Sequence, residues 1–277
     1  MIDKIIKNSL DEDIGTGDIT TNTTIPRECT ASGEYVAVQD GIICGLEVAK
    51  RVFELLDPTV VFTAGVKDGD SVKKGDIIAE ISGNACNILI GERTSLNLMQ
   101  RMSGIATRTA QAVKTVAGTG VKIADTRKTM PGLRVLDKYA VRCGGGTNHR
   151  FNLADGILIK DNHIAAAGGI ANAVAGARAG APHTLKIEVE VADFDQLEQA
   201  IAAKADIIML DNMSCEQMAQ AVKIIDGRAV VEASGNMGDK DLRQVADTGV
   251  DIISIGALTH SVVALDISLK FRLDKDN

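Results

Sequence analysis

Residues 186–255 contain four short apolar segments, KIEVEV (186–191), IIML (207–210), AVVEA (229–233) and DIISI (251–255), and the fold prediction starts from these segments. They begin about 21 or 22 residues apart, a length that suits one strand, one loop and one helix. The intervening stretches 194–203 and 216–225 carry strong helix formers with apolar residues three or four positions apart. The pattern predicts parallel strands covered by helices.

Two further segments upstream, 121–125 and 156–160, extend this pattern to six strands. Six strands are too few for a complete eight-stranded barrel. We therefore expect an α/β fold with an incomplete or distorted α/β barrel, and an open doubly wound sheet is the alternative.

The sequence before Met102 has a different pattern of apolar and turn-forming residues, and it predicts a smaller α+β sandwich domain. Extended segments at 33–39 and 77–81 are separated by turn dipeptides, and the stretch 66–76 is similar to the hairpin of a biotinyl or lipoyl carrier. We expect domains at 1–102 and 103–264, with a helix over 94–116 between them. The alternating tail 267–273 predicts that 265–277 returns to the first domain as a strand.

Composition excludes several classes of partner. The formal charge is -7 and aromatic residues make up 3% of the chain, which argues against a nucleic acid or an anionic membrane as the main partner. The five cysteines have no zinc-ribbon spacing, so we expect reduced thiols. No apolar run is long enough to span a bilayer, and the N-terminus does not resemble a leader, so we predict a cytoplasmic location.

Polar residues follow each predicted strand, where ligands collect in parallel α/β folds. Glu190 and Asp211 are candidates to hold ribose hydroxyls or Mg²⁺ on a pyrophosphate. Glu188 should point the same way as Glu190, and the sequence leaves open which of them reaches a ligand. Backbone N–H groups around late strands suit a phosphate, and the candidates there are Ser234, Gly235, Asn236, Ile255, Gly256 and Ala257.

The span 127–160 predicts an anion site in a chain that is acidic overall. It holds seven basic residues against two acidic ones, a local charge of about +5. The basic residues are Arg127, Lys128, Arg134, Lys138, Arg142, Arg150 and Lys160. The glycines at 144–146 allow the backbone to approach a ligand closely, next to His149 and Arg150.

Three motifs in this order resemble the quinolinate phosphoribosyltransferase family: DTRKTMPGLR (125–134), GGGTNHR (144–150) and KDNH (160–163). The resemblance covers nearly the whole chain, including EDIGTGDIT (12–20), GERTSLN (91–97) and SGIAT (103–107). It implies a type II phosphoribosyltransferase that joins quinolinate to phosphoribosyl pyrophosphate, releases CO₂ and pyrophosphate, and serves NAD biosynthesis.

The resemblance also implies the assembly, a homodimer with shared active sites or a higher homo-oligomer built from it. Arg93 matches the arginine that enters the partner's site. The quinolinate pocket matches Arg127, Lys128, His149, Arg150 and Lys160, with Thr126 beside it. Residues around the phosphoribosyl group match Glu190, Asp211, residues 234–236 and Gly256. We expect Lys128, Lys160, Glu190 and Asp211 to take part in catalysis, with Mg²⁺ on Glu190 and Asp211.

Three alternatives remain at this level. A paralogous group associated with molybdenum transport shares the implied architecture, although the intact cationic motif favours the quinolinate enzyme. A lyase on an α/β barrel would use Lys160 as a Schiff base. A binding module built on the carrier-like stretch 66–76 would associate with partners without turnover.

Overall fold

The computed structural model describes residues 1–273 and divides the chain into two compact units. The first unit comprises Met1–Ala110, Met130–Gly145 and the chain from Val262 onward, and the second comprises Gln111–Thr129 and Gly146–Ser261. In chain order the elements are α1 (Ile2–Ile14), α2 (Ile19–Thr24), β1 (Thr30–Ala37), β2 (Gly41–Ile42), α3 (Leu46–Leu56), β3 (Val61–Ala64), β4 (Ser71–Val72), β5 (Ile77–Asn84), α4 (Ala85–Thr115), β6 (Lys122–Ala124), α5 (Arg134–Cys143), β7 (Ile157–Ile159), α6 (Asp161–Ala167), α7 (Ile170–Gly180), β8 (Ile187–Val191), α8 (Phe194–Ala202), β9 (Ile207–Asp211), α9 (Cys215–Ile225), β10 (Val230–Ser234), α10 (Leu242–Ala246), β11 (Ile252–Ser254), α11 (Ala257–His260) and β12 (Ile267–Leu273).

The first unit is built on a four-stranded antiparallel sheet with the order β12-β1-β5-β3. The tail therefore pairs with β1 through β12, while residues 274–277 of the predicted returning segment lie outside the described residues. Gly33 lies in the middle of β1, where an added Cβ would come within 2.8 Å of Leu269 on β12. A larger residue at this position would push the paired strands apart.

The core of the first unit lies between this sheet and the helices α3 and α4. Tyr35 and Phe62 pack edge to face with ring centroids 5.4 Å apart, and Phe53 stacks on Phe62. The buried hydroxyl of Tyr35 lies 2.7 Å from that of Ser95, so the polar tip of this core residue has a partner. The helix predicted at 94–116 begins at Ala85, because Ala85 and Ile88 continue its buried face up to the end of β5.

The second unit is a six-stranded parallel sheet with the order β6-β11-β10-β9-β8-β7. Strands that follow one another from β7 to β11 are neighbours, and β6 closes onto β11 rather than onto β7. This order is that of a barrel opened between its first two strands, and it differs from the reversed order of a doubly wound sheet. The predicted incomplete barrel is confirmed, and each strand lies within two residues of its predicted bounds.

Helix starts in the second unit follow local capping signals. Asp193 accepts a hydrogen bond from the backbone N–H of Gln196 at the start of α8, and Ser214 forms a reciprocal capping box with Gln217 at the start of α9. These caps fix where each strand-to-helix loop ends. Across residues 1–273, none of the helices has the length and apolar character that crossing a membrane would require.

Candidate active site

A cavity of about 580 Å³ opens in the second unit at the carboxyl ends of its strands. Its lining comes from all six parallel strands or from the loops that follow them. Of the residues proposed from sequence, those that line it are Thr126, Arg127, Lys128, His149, Arg150, Lys160, Glu190, Asp211, Ser234, Gly235, Asn236, Gly256 and Ala257. Residues separated by more than a hundred positions thus share one cavity.

Asp125 organises the loop that brings His149 to the cavity. This fully buried carboxylate accepts hydrogen bonds from the backbone N–H of His149 at 2.9 Å and from the side-chain amide of Asn148 at 2.6 Å. The backbone N–H of Asp125 in turn donates to the carbonyl of Thr147. The motif that begins at Asp125 and the glycine-rich motif are therefore held together by one buried acid.

Arg150 is a crowded, partly desolvated cation in the cavity wall. Its guanidinium donates to the carbonyl of Gly156 at 2.9 Å, which fixes the direction of the side chain. Burial, followed by the nearby charge of Arg127, lowers the pKa of Arg150 below its ordinary value. A cation that is short of solvent and repelled by its neighbour gains by binding an anion.

Lys160 forms an ion pair with Glu190 across neighbouring strand ends. The Lys160 backbone N–H donates to Nδ1 of His163 at 3.0 Å, which stabilises the start of α6. Glu190 lines the cavity and Glu188 does not. Of the two acids on β8, the structure brings Glu190 to the cavity surface.

His149 lies over two buried acids. Its Nε2 is 3.1 Å from Glu188 and 3.8 Å from Glu232, and its Nδ1 accepts the backbone N–H of Arg150 at 2.7 Å. This hydrogen-bond network assigns the ring proton to Nε2. Both ring nitrogens have protein partners, so the ring of His149 is held in a fixed orientation in the cavity wall.

Glu188 and Glu232 form a buried carboxylate pair beneath His149. They are 4% and 2% exposed, and within residues 1–273 one oxygen of each, Oε1, has no hydrogen-bond partner. Burial, together with the neighbouring charge of Glu188, raises the pKa of Glu232 to about 7. The pair therefore carries less than its full negative charge near neutral pH.

The segments that follow β9 and β10 pack closely against each other. The Asp211 carboxylate accepts a hydrogen bond from the side-chain amide of Asn212 at 2.9 Å, and the backbone N–H of Asn212 donates to the carbonyl of Ser234. Gly235 has a φ of +90°, and an added Cβ would lie 2.3 Å from Oδ1 of Asn212. Only glycine fits this close approach of the two strand ends.

Lys128 crosses the end of β11. An added Cβ on Gly256 would lie 2.9 Å from Cδ of Lys128, so this glycine leaves room for the lysine stem. The buried hydroxyl of Thr259 donates to the carbonyl of Lys128 at 2.8 Å and holds its backbone. The lysine is thereby kept at the cavity wall, where its charge can meet an anion.

Some of the residues proposed from sequence do not line the cavity. Three of the seven basic residues in the span 127–160 belong to the first unit, namely Arg134, Lys138 and Arg142. Two further candidates also lie elsewhere. Arg93 belongs to the first unit, where it is exposed on α4. Ile255 is 2% exposed, and its backbone N–H donates to the carbonyl of Ala124 at 2.9 Å, so this donor is already used within the sheet.

Sequence reasoning also missed lining residues, among them Leu158, Met209, Glu232, Ser254 and His260. Glu232 had a usable signal, because a glutamate inside the apolar segment AVVEA must be buried or face a site. Its register with Met209, and that of Met209 with Glu190, places these three side chains in one row across the sheet.

Ligand-type side chains for a metal ion gather in two groups within residues 1–273. In each, three side chains offer atoms within 4.8 Å of one another: Cys44, Asp68 and Cys143 in the first unit, and His149, Glu188 and Glu232 in the second. The acids predicted to hold Mg²⁺, Glu190 and Asp211, are in neither group. They remain predicted ligands that would need further oxygen atoms from a substrate.

Comparisons with known proteins agree with this fold. Residues 18–103 match the family model for the N-terminal domain of quinolinate phosphoribosyl transferase, and residues 105–270 match the model for its C-terminal domain. The chain is similar to a probable nicotinate-nucleotide pyrophosphorylase (carboxylating) of Bacillus subtilis, at 48% identity over 99% of this chain and 94% of that protein.

Solved structures show the same likeness. A structure of NadC from Streptococcus pyogenes has a TM-score of 0.92 and 44% identity over 99% of this chain and 97% of the other. The nicotinate-nucleotide pyrophosphorylase from Francisella tularensis has a TM-score of 0.94 and 44% identity over 98% and 96% of the two chains. The chain belongs to the quinolinate phosphoribosyl transferase family.

Proposed function

We propose that this protein transfers the phosphoribosyl group of phosphoribosyl pyrophosphate to quinolinate and removes one carboxylate, forming nicotinate mononucleotide for NAD biosynthesis. The observation that carries this proposal is one cavity lined by four cations, Arg127, Lys128, Arg150 and Lys160, together with the acids Glu190 and Asp211. A dianionic pyridine needs the cations, and a ribosyl group that develops positive charge needs the acids.

The cations offset the repulsion between the two substrates. Quinolinate carries two carboxylates and must approach a donor that carries several phosphate charges, so the uncompensated repulsion would be large in a cavity poorer in water than bulk solvent. Arg150, whose pKa is already lowered by burial and by Arg127, gains most from a bound carboxylate. The planar guanidinium suits a bidentate grip, while Lys128 and Lys160 supply point charges.

The reaction forms two bonds and breaks two at carbon. The pyridine nitrogen of quinolinate attacks C1 of the ribose, and the bond from C1 to pyrophosphate breaks with its electron pair leaving on the pyrophosphate. The ring nitrogen is then quaternary, and its positive charge stabilises the carbanion left when the adjacent carboxylate departs as CO₂. A proton taken up at that carbon completes nicotinate mononucleotide.

Glu190 contributes to both binding and catalysis in this proposal. Its ion pair fixes the ammonium of Lys160 within the cavity wall, and its negative charge lies near the place where the ribosyl group becomes cationic. Asp211, held by Asn212, supplies a second carboxylate for the ribose hydroxyls. Residues 234–236, with Gly256 and Ala257, surround the phosphate at the far strand ends.

Glu190 and Asp211 fit Mg²⁺, because carboxylate oxygens are the hard ligands that this ion prefers and one or two of them suffice when substrate phosphates complete the set. Bound there, the ion would neutralise negative charge on the departing pyrophosphate. The chain's own contribution is to hold these two carboxylates at neighbouring strand ends.

We also propose a homodimer in which Arg93 of one subunit completes the site of its partner. Arg93 is exposed on α4, as a residue that reaches another subunit would be. Mixing a chain that carries Arg93→Ala with one that carries Lys160→Ala would restore activity if sites are shared.

The cytoplasmic location remains a prediction from the sequence.

The decisive experiment follows nicotinate mononucleotide and CO₂ from purified protein with quinolinate, phosphoribosyl pyrophosphate and Mg²⁺, with nicotinate as the control substrate. We expect product from quinolinate alone and a loss of roughly a hundredfold or more in kcat/KM for Lys160→Ala. Lys186→Ala is the matched control, because Lys186 is exposed and precedes β8 at the opposite end of the strand. Full turnover by Lys160→Ala would refute the assigned pocket, and no product from folded wild-type protein would refute the activity.

A further inference from the structure

Two thiols and one carboxylate meet in the first unit, whereas the residues proposed for catalysis belong to the second. The sulfur atoms of Cys44 and Cys143 and one oxygen of Asp68 all lie within 4.8 Å of one another. Cys44 follows β2 and is fully buried, whereas Cys143 is the last residue of α5 and is partly exposed. The sequence separates the two cysteines by almost a hundred residues, so only the fold makes them a pair.

Asp68 already has three hydrogen bonds that hold the structure. One oxygen accepts the backbone N–H groups of Gly45 and Leu46, at 2.9 and 3.1 Å, and so caps the start of α3. The other oxygen accepts the hydroxyl of Tyr139 at 2.9 Å. A metal ion would have to compete with these bonds for the third ligand. The group therefore favours chemistry between the two thiols over metal binding.

We propose that Cys143 and Cys44 are a peroxide-reactive thiol pair, in which Cys143 is oxidised first and Cys44 then closes a disulfide. In the first step the sulfur of Cys143 attacks one oxygen of hydrogen peroxide, the O–O bond breaks, and a sulfenic acid and water form. In the second step the sulfur of Cys44 attacks the sulfur of Cys143, and the hydroxyl of the sulfenic acid leaves as water with the Cys44 proton. Peroxide is reduced and the two thiols are oxidised.

The environment of each thiol fits its role in these two reaction steps. A hydrogen bond from the Cys44 thiol is the largest influence on Cys143 and lowers its pKa, and the charge of Arg142 acts in the same direction. The same hydrogen bond, followed by burial, raises the pKa of Cys44. Burial and the charge of Asp68 oppose the lowered pKa of Cys143 but do not reverse it, so of the two thiols Cys143 loses its proton more readily.

The two sulfur atoms lie no more than 4.8 Å apart, and they must approach to about 2.05 Å to form the bond. Cys215 provides a contrast within the same chain, since it is partly exposed but belongs to neither of the two clustered groups of ligand-type side chains within residues 1–273.

The test is a peptide map of the full-length protein after exposure to hydrogen peroxide. Remaining thiols are blocked with N-ethylmaleimide under denaturing conditions, and the protein is digested without reductant and analysed by mass spectrometry. We expect a linked peptide that contains Cys44 and Cys143, is released by dithiothreitol, and forms roughly tenfold faster than Cys215 is oxidised. This readout is independent of phosphoribosyl transfer, so the two proposals can fail separately.

Variants sharpen the result. In Cys44→Ala, the sulfenic acid on Cys143 should persist and be trapped by dimedone, while Cys215→Ala should form the linked peptide as the wild type does. If Cys44→Ala does not fold, the wild-type map and Cys143→Ser still decide the question. Equal oxidation rates of Cys143 and Cys215, or oxidation of Cys143 without a linked peptide, would overturn the proposal. So would one zinc ion bound per chain and lost in Cys143→Ser.

Discussion

Replacing Glu232 with glutamine should remove most of the pH dependence of stability that this site imposes near neutral pH. Glu232 is 2% exposed and lies beside Glu188, and its pKa is raised from 4.5 to about 7. The folded protein therefore keeps a proton that the unfolded chain releases. The stability that this protonated carboxyl contributes is fully present below pH 4.5 and is lost as the pH rises through about 7.

The size of the effect follows from the two pKa values. Each pKa unit is worth about 1.4 kcal/mol, so the rise cited above corresponds to ~3 kcal/mol of unfolding free energy lost between acidic and mildly alkaline solution. A glutamine has nearly the same shape and no charge to bury. In Glu232→Gln this contribution should be absent at every pH.

Urea unfolding at about pH 5 and about pH 8 measures the effect directly. The difference in unfolding free energy between wild type and Glu232→Gln should shift by about 2.5 kcal/mol in favour of the variant on going to the higher pH, since part of the full effect is already lost at about pH 5. Glu198→Gln, at an exposed position on α8, is the control and should leave the pH dependence as it is in the wild type. The same difference at both pH values would show that Glu232 is not protonated in the folded protein.

Two further substitutions, with one control, test the packing around the site and in the first unit. Gly235→Ala places a Cβ 2.3 Å from Oδ1 of Asn212 at a φ of +90°. We therefore expect the free energy of unfolding in urea to fall by about 1–3 kcal/mol and the KM for phosphoribosyl pyrophosphate to rise. An unchanged KM would argue against a phosphate at this loop. Asp137 is fully buried and accepts two hydrogen bonds from Arg101, each 2.9 Å long, so Asp137→Ala should cost about 3–5 kcal/mol. Asp247→Ala breaks the exposed pair with Arg243 and should cost less than about 1 kcal/mol; equal losses would contradict the role of burial.

The strands and the motifs could be predicted from the sequence because their physical causes are local. Parallel strands buried on both faces need continuous apolar segments, and the helices between them need apolar residues three or four apart. The first residue of α4 could not be predicted from the sequence in this way. Whether 85–93 continues a strand region or begins a helix depends on what Ala85 and Ile88 pack against, and that is set by the core of the first unit.

The class of fold and most of the candidate residues in the cavity were predictable from the sequence, since they follow from the order of the apolar segments, the polar residues after them and the motifs. The partners of those residues became clear only from the three-dimensional structure. It placed Glu190 against Lys160, turned both ring nitrogens of His149 to the protein, and joined Glu188 with Glu232 beneath that ring. It also brought Cys44 to Cys143. Such pairings depend on register and on loop closure across long stretches of chain, which local sequence patterns do not specify.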